Sequence, residues 1–533
     1  MSRPPLILHE DDQLLVIHKP PGWNTHASQT HGGEGVYEWL RHREPRWADL
    51  AILQRLDKET SGVLLFSKAR DANAALTKQF SRRRVTKEYV LLSHARPAAD
   101  TLTVRSAIRK GAGRFESVEP EDDPEAREAD TEFTVLGREA AGWRLRAVPR
   151  TGRTHQIRIH AADTGFPILG DALYGGAAFQ RLCLHAEALA LRHPATNEPR
   201  RFTVPADFAA PAGLALRQAF IEPELTDVYR LVHGVPDGWP GGWVECWGGW
   251  LLAAAETEPD EAARGRLHAL QAATGARGVH FKRLDRHVRG AGAEGASPRP
   301  LLGEPAPEAW AVRENGLRFE ARFGEGYSVG LFPDQRDNRR RLLVNHVAAG
   351  FPVRAGGLAG AEVLNVFAYT CGFSVAVAAA SARTTSLDLS RKYLDWGRRN
   401  FALNGLDPAA HDFIYGDAFD WLRRLAKRGR RFDVVLLDPP TFSQSKEHGV
   451  FRAATDLGRL VAAALPVLMA GGSLFVSTNA ATLAPEAFVA QVEAAVRAAG
   501  RAVVRRHFAP QPPDFPITRE EPGHLKTLWL TVA

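Results

Sequence analysis

The segment Phe432-Asp433-Val434-Val435-Leu436-Leu437-Asp438-Pro439-Pro440-Thr441-Phe442 is apolar at every one of its first six positions except Asp433. A short unalternating run of that kind fits a strand buried on both faces. The two prolines then stop it, because neither can donate a ladder hydrogen bond and each fixes φ. Similar runs recur around it, at 363–367, 384–387, 413–415 and 473–477. Helical periodicity fills the gaps, notably at 391–404, with Gly405 as a stop, and at 452–469. Strands alternating with helices imply a parallel, doubly wound, Rossmann-like α/β domain. Ligands of such sheets collect at the carboxyl ends of the strands. Asp438 sits at such an end.

Upstream the pattern differs. Leu14-Leu15-Val16-Ile17-His18-Lys19 reads as a strand closed by Pro20-Pro21-Gly22, with further strands at 62–67 and 87–92. Gln54-Arg55-Leu56-Asp57-Lys58-Glu59-Thr60-Ser61-Gly62 is a loop feeding the second of these, and Lys87-Glu88-Tyr89 opens the third. Arg153-Thr154-His155-Gln156-Ile157-Arg158-Ile159-His160 supplies alternating basic groups and is expected to be strand-like. It precedes Gly165-Phe166-Pro167-Ile168-Leu169-Gly170-Asp171 and Leu182-Cys183-Leu184-His185-Ala186. An acidic stretch at 119–130 reads as a solvated loop. The pattern breaks at 209–213. A unit rich in Trp and Gly follows at 227–287, whose Trp239, Trp243, Trp247 and Trp250 are expected in a core. Residues 290–307 read as a Gly/Ala/Pro linker. The expected organisation is multidomain α+β and α/β: a strand-rich domain at 1–210, a small α+β domain at 222–320 and the doubly wound domain at 321–533.

The chain of 533 residues carries a net charge of +7, which favours a polyanionic partner. Its three cysteines, Cys183, Cys246 and Cys371, are too scattered for a disulfide framework or a Cys-rich zinc site and fit a reducing cytosol. His155, His160 and His185 lack the acidic company of a metal centre, so no metal is expected. Leu6-Ile7-Leu8 runs straight into His9-Glu10-Asp11-Asp12, unlike a signal peptide, and no apolar run is long enough to span a bilayer.

In the doubly wound domain, Leu364-Asn365-Val366-Phe367-Ala368-Tyr369-Thr370-Cys371-Gly372-Phe373-Ser374 is a strand, a turn and a helix start. Such a turn brings backbone N–H groups and a small residue against a ligand. Asp388 ends the next strand about twenty residues on, where an acid accepts the ribose hydroxyls of a nucleoside cofactor. Asp417 ends the following strand. The G-x-G-x-x-G fingerprint of NAD sites is absent.

The Asp57 loop, the Tyr89 strand and the Arg153–His160 segment occur together and in order, and residues 8–205 resemble the RluA-type family of RNA pseudouridine synthases. The resemblance implies Asp57 as the catalytic aspartate, Tyr89 as the active-site tyrosine and Arg158 as the aspartate's ion-pair partner. It places Arg55 and Arg153 on the RNA. Gln54 stands where the family often has His. That chemistry breaks an N-glycosidic bond, turns the base and rejoins it through carbon. A carboxylate nucleophile suits it, and the target must leave the helical stack.

Residues 222–533 resemble class I S-adenosylmethionine (SAM) methyltransferases, and more narrowly the large-subunit rRNA methyltransferases of the RlmI and RlmK types. The resemblance rests on Gly330-Leu331-Phe332-Pro333-Asp334-Gln335-Arg336-Asp337-Asn338-Arg339, on Asp388-Leu389-Ser390 and on the stretch from Asp438 to Lys446. It implies SAM held near Phe367, Ala368, Gly372, Asp388, Asp417 and Asp438. Asp334, Gln335 and Arg336 would line the site, with 222–320 as the substrate-side domain. Phe442 either stacks on the target base or fills a core. Carbon-5 of cytosine needs a cysteine to add first, and Ser477-Thr478-Asn479-Ala480 has none where RlmI-type enzymes carry it. Guanine N7 has an available lone pair and needs only alignment. Cys371 is expected to pack.

The two resemblances imply a bifunctional RNA-modifying enzyme, both pseudouridine synthase and SAM-dependent methyltransferase, with 23S rRNA or a ribosomal precursor as partner. A tRNA target, another methylated atom, or an RNA-binding assembly factor with one inactive domain remain rivals. The basic runs Arg82-Arg83-Arg84, Arg339-Arg340-Arg341 and 423–431 are candidates for phosphate contacts.

Overall fold

The computed structural model describes residues 4–119, 123–284, 297–326, 328–445 and 449–533. Parts of the acidic stretch (120–122), of the Trp-rich unit (285–287) and of the Gly/Ala/Pro stretch (290–296), and Lys446, lie outside the described residues. The chain divides into two compact units, one of residues 1–27, 34–38 and 49–222, the other of 28–33, 39–48 and 223–533.

The first unit is built on one 11-stranded sheet. Every pairing in it is antiparallel except that of Ser61–Ser67 with Leu184–Arg192. Gly62 makes that parallel pair possible: its φ is +125°, and a Cβ there would lie 2.3 Å from the Ala186 carbonyl oxygen. Ser61–Ser67 is buried throughout, so the loop before it has a fixed end. Two expectations change here. The acidic stretch yields at Arg127 to a long strand, Arg127–Glu139. The Arg153–His160 segment is not a strand: it enters the helix Gln156–Asp163. The polar residues of that helix turn do not face solvent, as a half-buried strand would require. Gln156, Arg158 and His160 are all buried and partnered, His160 on Thr131 and Ser106.

The second unit begins with a five-stranded sheet, Val228–His233 to Arg299–Gly303, flanked by the helix Glu261–Thr274. Arg299–Gly303 pairs with Gly278–Arg283, so the expected linker is partly sheet. Trp239, Trp247 and Trp250 are buried, as clustered aromatics usually are. A seven-stranded sheet follows, in the order Asp412–Tyr415, Arg383–Asp388, Glu362–Val366, Phe432–Leu437, Leu468–Thr478, Lys526–Val532, Val503–Pro510. The first five run parallel, Lys526–Val532 runs antiparallel to them, and Val503–Pro510, antiparallel to its neighbour, again runs with the first five. The helical reading of 452–469 ends early: the helix is Ala453–Ala464, and Met469 already lies in the strand Leu468–Thr478. Strand order reverses between Glu362–Val366 and Phe432–Leu437, which makes a crevice at their carboxyl ends. Phe367 and Asp438 sit there. No helix among the described residues is long and apolar enough to cross a membrane.

The run Arg339-Arg340-Arg341 is buried rather than laid out for phosphates. The Arg339 guanidinium donates to Glu314 at 2.5 and 2.8 Å and to the Phe332 carbonyl at 2.6 Å, and Arg340 pairs with Glu44. Leaving one partner of such a pair alone costs about 3–5 kcal/mol. Arg339→Ala is therefore expected to lower the unfolding transition of the second unit by that order. A change confined to the salt dependence of RNA binding would instead favour a phosphate-contacting role.

Candidate active sites

In the first unit the Asp57 loop is pinned from both sides. Thr25 Oγ1 donates to the Leu56 carbonyl at 2.8 Å and accepts from the Leu56 N–H at 3.1 Å. The buried Lys19 ammonium donates to the carbonyls of Pro20, Trp23 and Lys58. Neither residue stood out in the sequence, because each acts on backbone 31 to 39 residues away.

The loop borders a cleft of about 450 Å³, lined among others by Gln54, Arg55, Asp57, Tyr89, Arg153, His155 and Arg158. The structure thus brings together all five site residues expected in this unit. Arg158 Nη1 lies 3.4 Å from Asp57 Oδ2. Its principal partner is Asp171, which takes two hydrogen bonds of 2.7 Å. Burial works against the guanidinium, but the Asp171 bonds and charge hold its pKa above the ordinary value. A bidentate carboxylate fixes the plane of an arginine, so Asp171 sets the cation that faces Asp57. Tyr89 projects from Thr86–Ser93. Burial, then the charge of Asp57, pushes its phenol upward, so at neutral pH it is a proton donor or a stacking face. Arg55, Arg83 and Arg153 are exposed at the rim.

In the second unit the turn after Glu362–Val366 is wound tightly: Phe367, Tyr369 and Cys371 all have positive φ, at 63°, 50° and 63°. The turn is closed on itself by the Cys371 amide, which donates to the Ala368 carbonyl at 2.8 Å. Ala368 is anchored to the Leu387 carbonyl at 3.0 Å, and Gly372 starts the helix Gly372–Ala379. Asp388 accepts from the Tyr369 and Ser390 amides, both at 2.8 Å. Burial nevertheless raises its pKa. A carboxylate has about four acceptor sites, so the group can still accept from a ribose hydroxyl. Asp417 caps the helix Ala418–Lys427 through the Phe419 and Asp420 amides.

Asp438 meets the expected Gln335, whose Nε2 donates to it at 3.1 Å, and also Ser477, whose hydroxyl bonds to the same oxygen. Burial, opposed first by the Ser477 bond, pushes the Asp438 carboxyl up to about 6, and the charge of Asp334 adds to the rise. Asp334 is bonded to His524 at 3.1 Å. His524 lies beyond the last motif and carries no signal of its own. Arg336, expected to line the site, is instead buried and bidentate on Asp514 at 2.6 and 2.9 Å. It holds the Asp334-Gln335 turn in place rather than facing a substrate. Phe442 is half-buried on the hairpin of Phe442–Ser445 with Gly449–Arg452, with the Arg452 guanidinium 5.9 Å from its ring.

Comparison with known proteins agrees with this division. Residues 230–530 match the family model for S-adenosylmethionine-dependent methyltransferases, and residues 13–163 match that for RNA pseudouridylate synthases. The chain is 34% identical over 328 residues to a ribosomal RNA large subunit methyltransferase of Deinococcus radiodurans, covering 60% of this chain and 77% of the relative. It is 36% identical over 219 residues to the ribosomal large subunit pseudouridine synthase C of Salmonella typhimurium, covering 38% of this chain and 67% of the relative. A solved methyltransferase in complex with SAH superposes with a TM-score of 0.50 at 27% identity, covering 58% of this chain and 76% of that one.

Proposed function

The chain belongs to the family of SAM-dependent methyltransferases and carries in addition an RNA pseudouridylate synthase domain, and from that premise we propose that it modifies large-subunit rRNA at two sites, a uridine isomerised in the first unit and a guanine methylated on N7 in the second. The domain limits we propose are 1–210 for the synthase, 222–320 for the substrate-side domain and 321–533 for the methyltransferase. The rRNA assignment draws on what the two relatives act on, and the net charge of +7 supports a polyanionic substrate. Three unpaired, buried cysteines support a cytosolic enzyme.

The observation that carries the synthase reading is the convergence of Asp57, Arg158 and Tyr89 on one cleft. Asp57 is the nucleophile that opens the glycosidic bond. Arg158, fixed by Asp171, keeps it aimed. Tyr89 stacks on the displaced base or delivers a proton to it. Arg55 and Arg153 hold the RNA flanking it.

In the second unit Phe367, Ala368, Gly372, Asp388 and Asp417 would hold SAM, and the geometry fits: a tightly wound turn, a half-buried acid and a helix start lie at adjacent strand ends. Bound there, SAM supplies an electrophilic methyl group. Asp438, Gln335 and Phe442 orient the acceptor base. Methylation at N7 leaves guanine cationic, and an ionised Asp438 stabilises that charge as it develops. Methylation at carbon-5 of a pyrimidine would need a thiolate, and the chain offers none here. Cys183, Cys246 and Cys371 are buried, each thiol pushed by burial to about 12. The test is chemical. RNA methylated by the enzyme, reduced with borohydride and treated with aniline, should be cleaved at one guanine. Intact RNA that yields N2-methylguanosine or 5-methylcytidine on digestion would refute the N7 assignment.

A further inference from the structure

Rejoining uracil through carbon-5 leaves that carbon with both its original hydrogen and the new bond to the sugar. The hydrogen must then leave as a proton. We propose that His155 is the base that removes it. The inference rests on the synthase activity and adds to it a residue for the last step.

The geometry fixes the tautomer of His155. The Tyr174 hydroxyl donates to the Phe115 carbonyl at 3.0 Å, so its single proton is spent there. His155 Nδ1 lies 2.9 Å from the same hydroxyl and must be the donor. Nε2 of the neutral ring therefore carries the lone pair. That atom is 3.8 Å from Asp57 Oδ2, at the cleft where the base must sit. The ring is held edge-on between Phe115 and Tyr174, with centroids 5.8 and 5.6 Å away. Its backbone is left-handed, with φ of 57°. Non-glycine residues pay for that conformation, which clusters at functional sites.

The charged groups facing the ring are Asp57, Arg158 and Asp171. Burial lowers the imidazole pKa, with Asp57 opposing and Arg158 adding to the fall. The ring is thus neutral at physiological pH and able to accept. The other groups are less suited. Arg158 has no lone pair, the Tyr89 phenol keeps its proton, and a carboxylate, free again once carbon-5 has displaced it from the sugar, is a weaker base than a neutral imidazole. In the step itself the C5–H bond breaks and the proton passes to Nε2. Its electron pair becomes the C5=C6 bond, and the C6=N1 pair moves to N1, which takes up a proton. The proton count is unchanged, as an isomerisation requires.

The test compares RNA bearing uridine with RNA bearing 5-fluorouridine at the target. A C5–F carbon has no proton to lose, so its rearrangement stops at the new carbon–carbon bond and needs no base. His155→Asn suits the comparison, because asparagine tolerates the left-handed region and its amide can still donate to Tyr174. Pseudouridine formation from uridine is expected to fall by about 10²-fold or more, with 5-fluorouridine rearranging at the wild-type rate. Deuterium at carbon-5 should slow the variant more than the wild type. Equal loss on both substrates would make His155 a positioning residue for an earlier step. An unchanged rate on uridine would hand the proton to Asp57 or to Lys87, which also lines the cleft. Either outcome overturns the proposal. A wild-type protein that makes no pseudouridine at all would instead refute the synthase reading on which it rests.

Discussion

Asp57→Asn is expected to lower pseudouridine formation by at least about 10⁴-fold, the scale seen when a nucleophile is removed, and to leave methyl transfer unchanged. An amide cannot attack as a carboxylate does. It is nearly the same size, and Arg158 keeps its two bonds to Asp171, so the cleft should survive. Tritium release from RNA labelled at uridine carbon-5 reports the first activity, and incorporation of labelled methyl groups reports the second. Loss of both in a folded variant would mean that the two sites are not independent.

Asp438→Asn should do the converse. Methyl transfer is expected to fall by about 10²–10³-fold, as when one preorganised electrostatic group is lost, with pseudouridine formation intact. The wild-type methyl-transfer rate should fall as pH drops through about 6, the value to which burial raises this carboxyl. That dependence should vanish in the variant. The sign for stability is opposite. The folded protein binds the Asp438 proton more tightly than the unfolded chain, so stability declines as pH rises from about 4 to about 6 and stays lower above it. The substitution removes this cost, and the variant should be more heat-stable at pH 7 than the wild type. A variant both inactive and less stable would mean that the Gln335 and Ser477 bonds outweigh the burial of the charge.

Architecture was more legible in the sequence than the wiring of the sites. The strand 432–437 and the helix from 391 could be read almost to the residue, because buried parallel strands and capped helices have short, strong signatures. The 153–160 segment misled because the alternation of Ile157-Arg158-Ile159-His160 mimics a strand, and sequence cannot tell a polar residue facing water from one buried on a partner. The same blindness made Arg339-Arg340-Arg341 look like a phosphate patch and Arg336 look free. Their partners Glu314, Glu44 and Asp514 lie 25 to 296 residues away. Asp57, Tyr89 and Arg158 could be found because their neighbours form local motifs. Thr25, Lys19, Asp171 and His524 act through long-range contacts that no window of sequence contains.

The central claim is that one chain holds two separate RNA-modifying sites. It is tested most directly by incubating the purified protein with unmodified 23S rRNA transcript, with and without SAM, and reading the digest by nucleoside mass spectrometry after chemical tagging of pseudouridine. The expected result is pseudouridine in both reactions and a methylated guanosine only when SAM is present. Pseudouridine that depends on SAM, or a methylated product with no pseudouridine in either reaction, would contradict it.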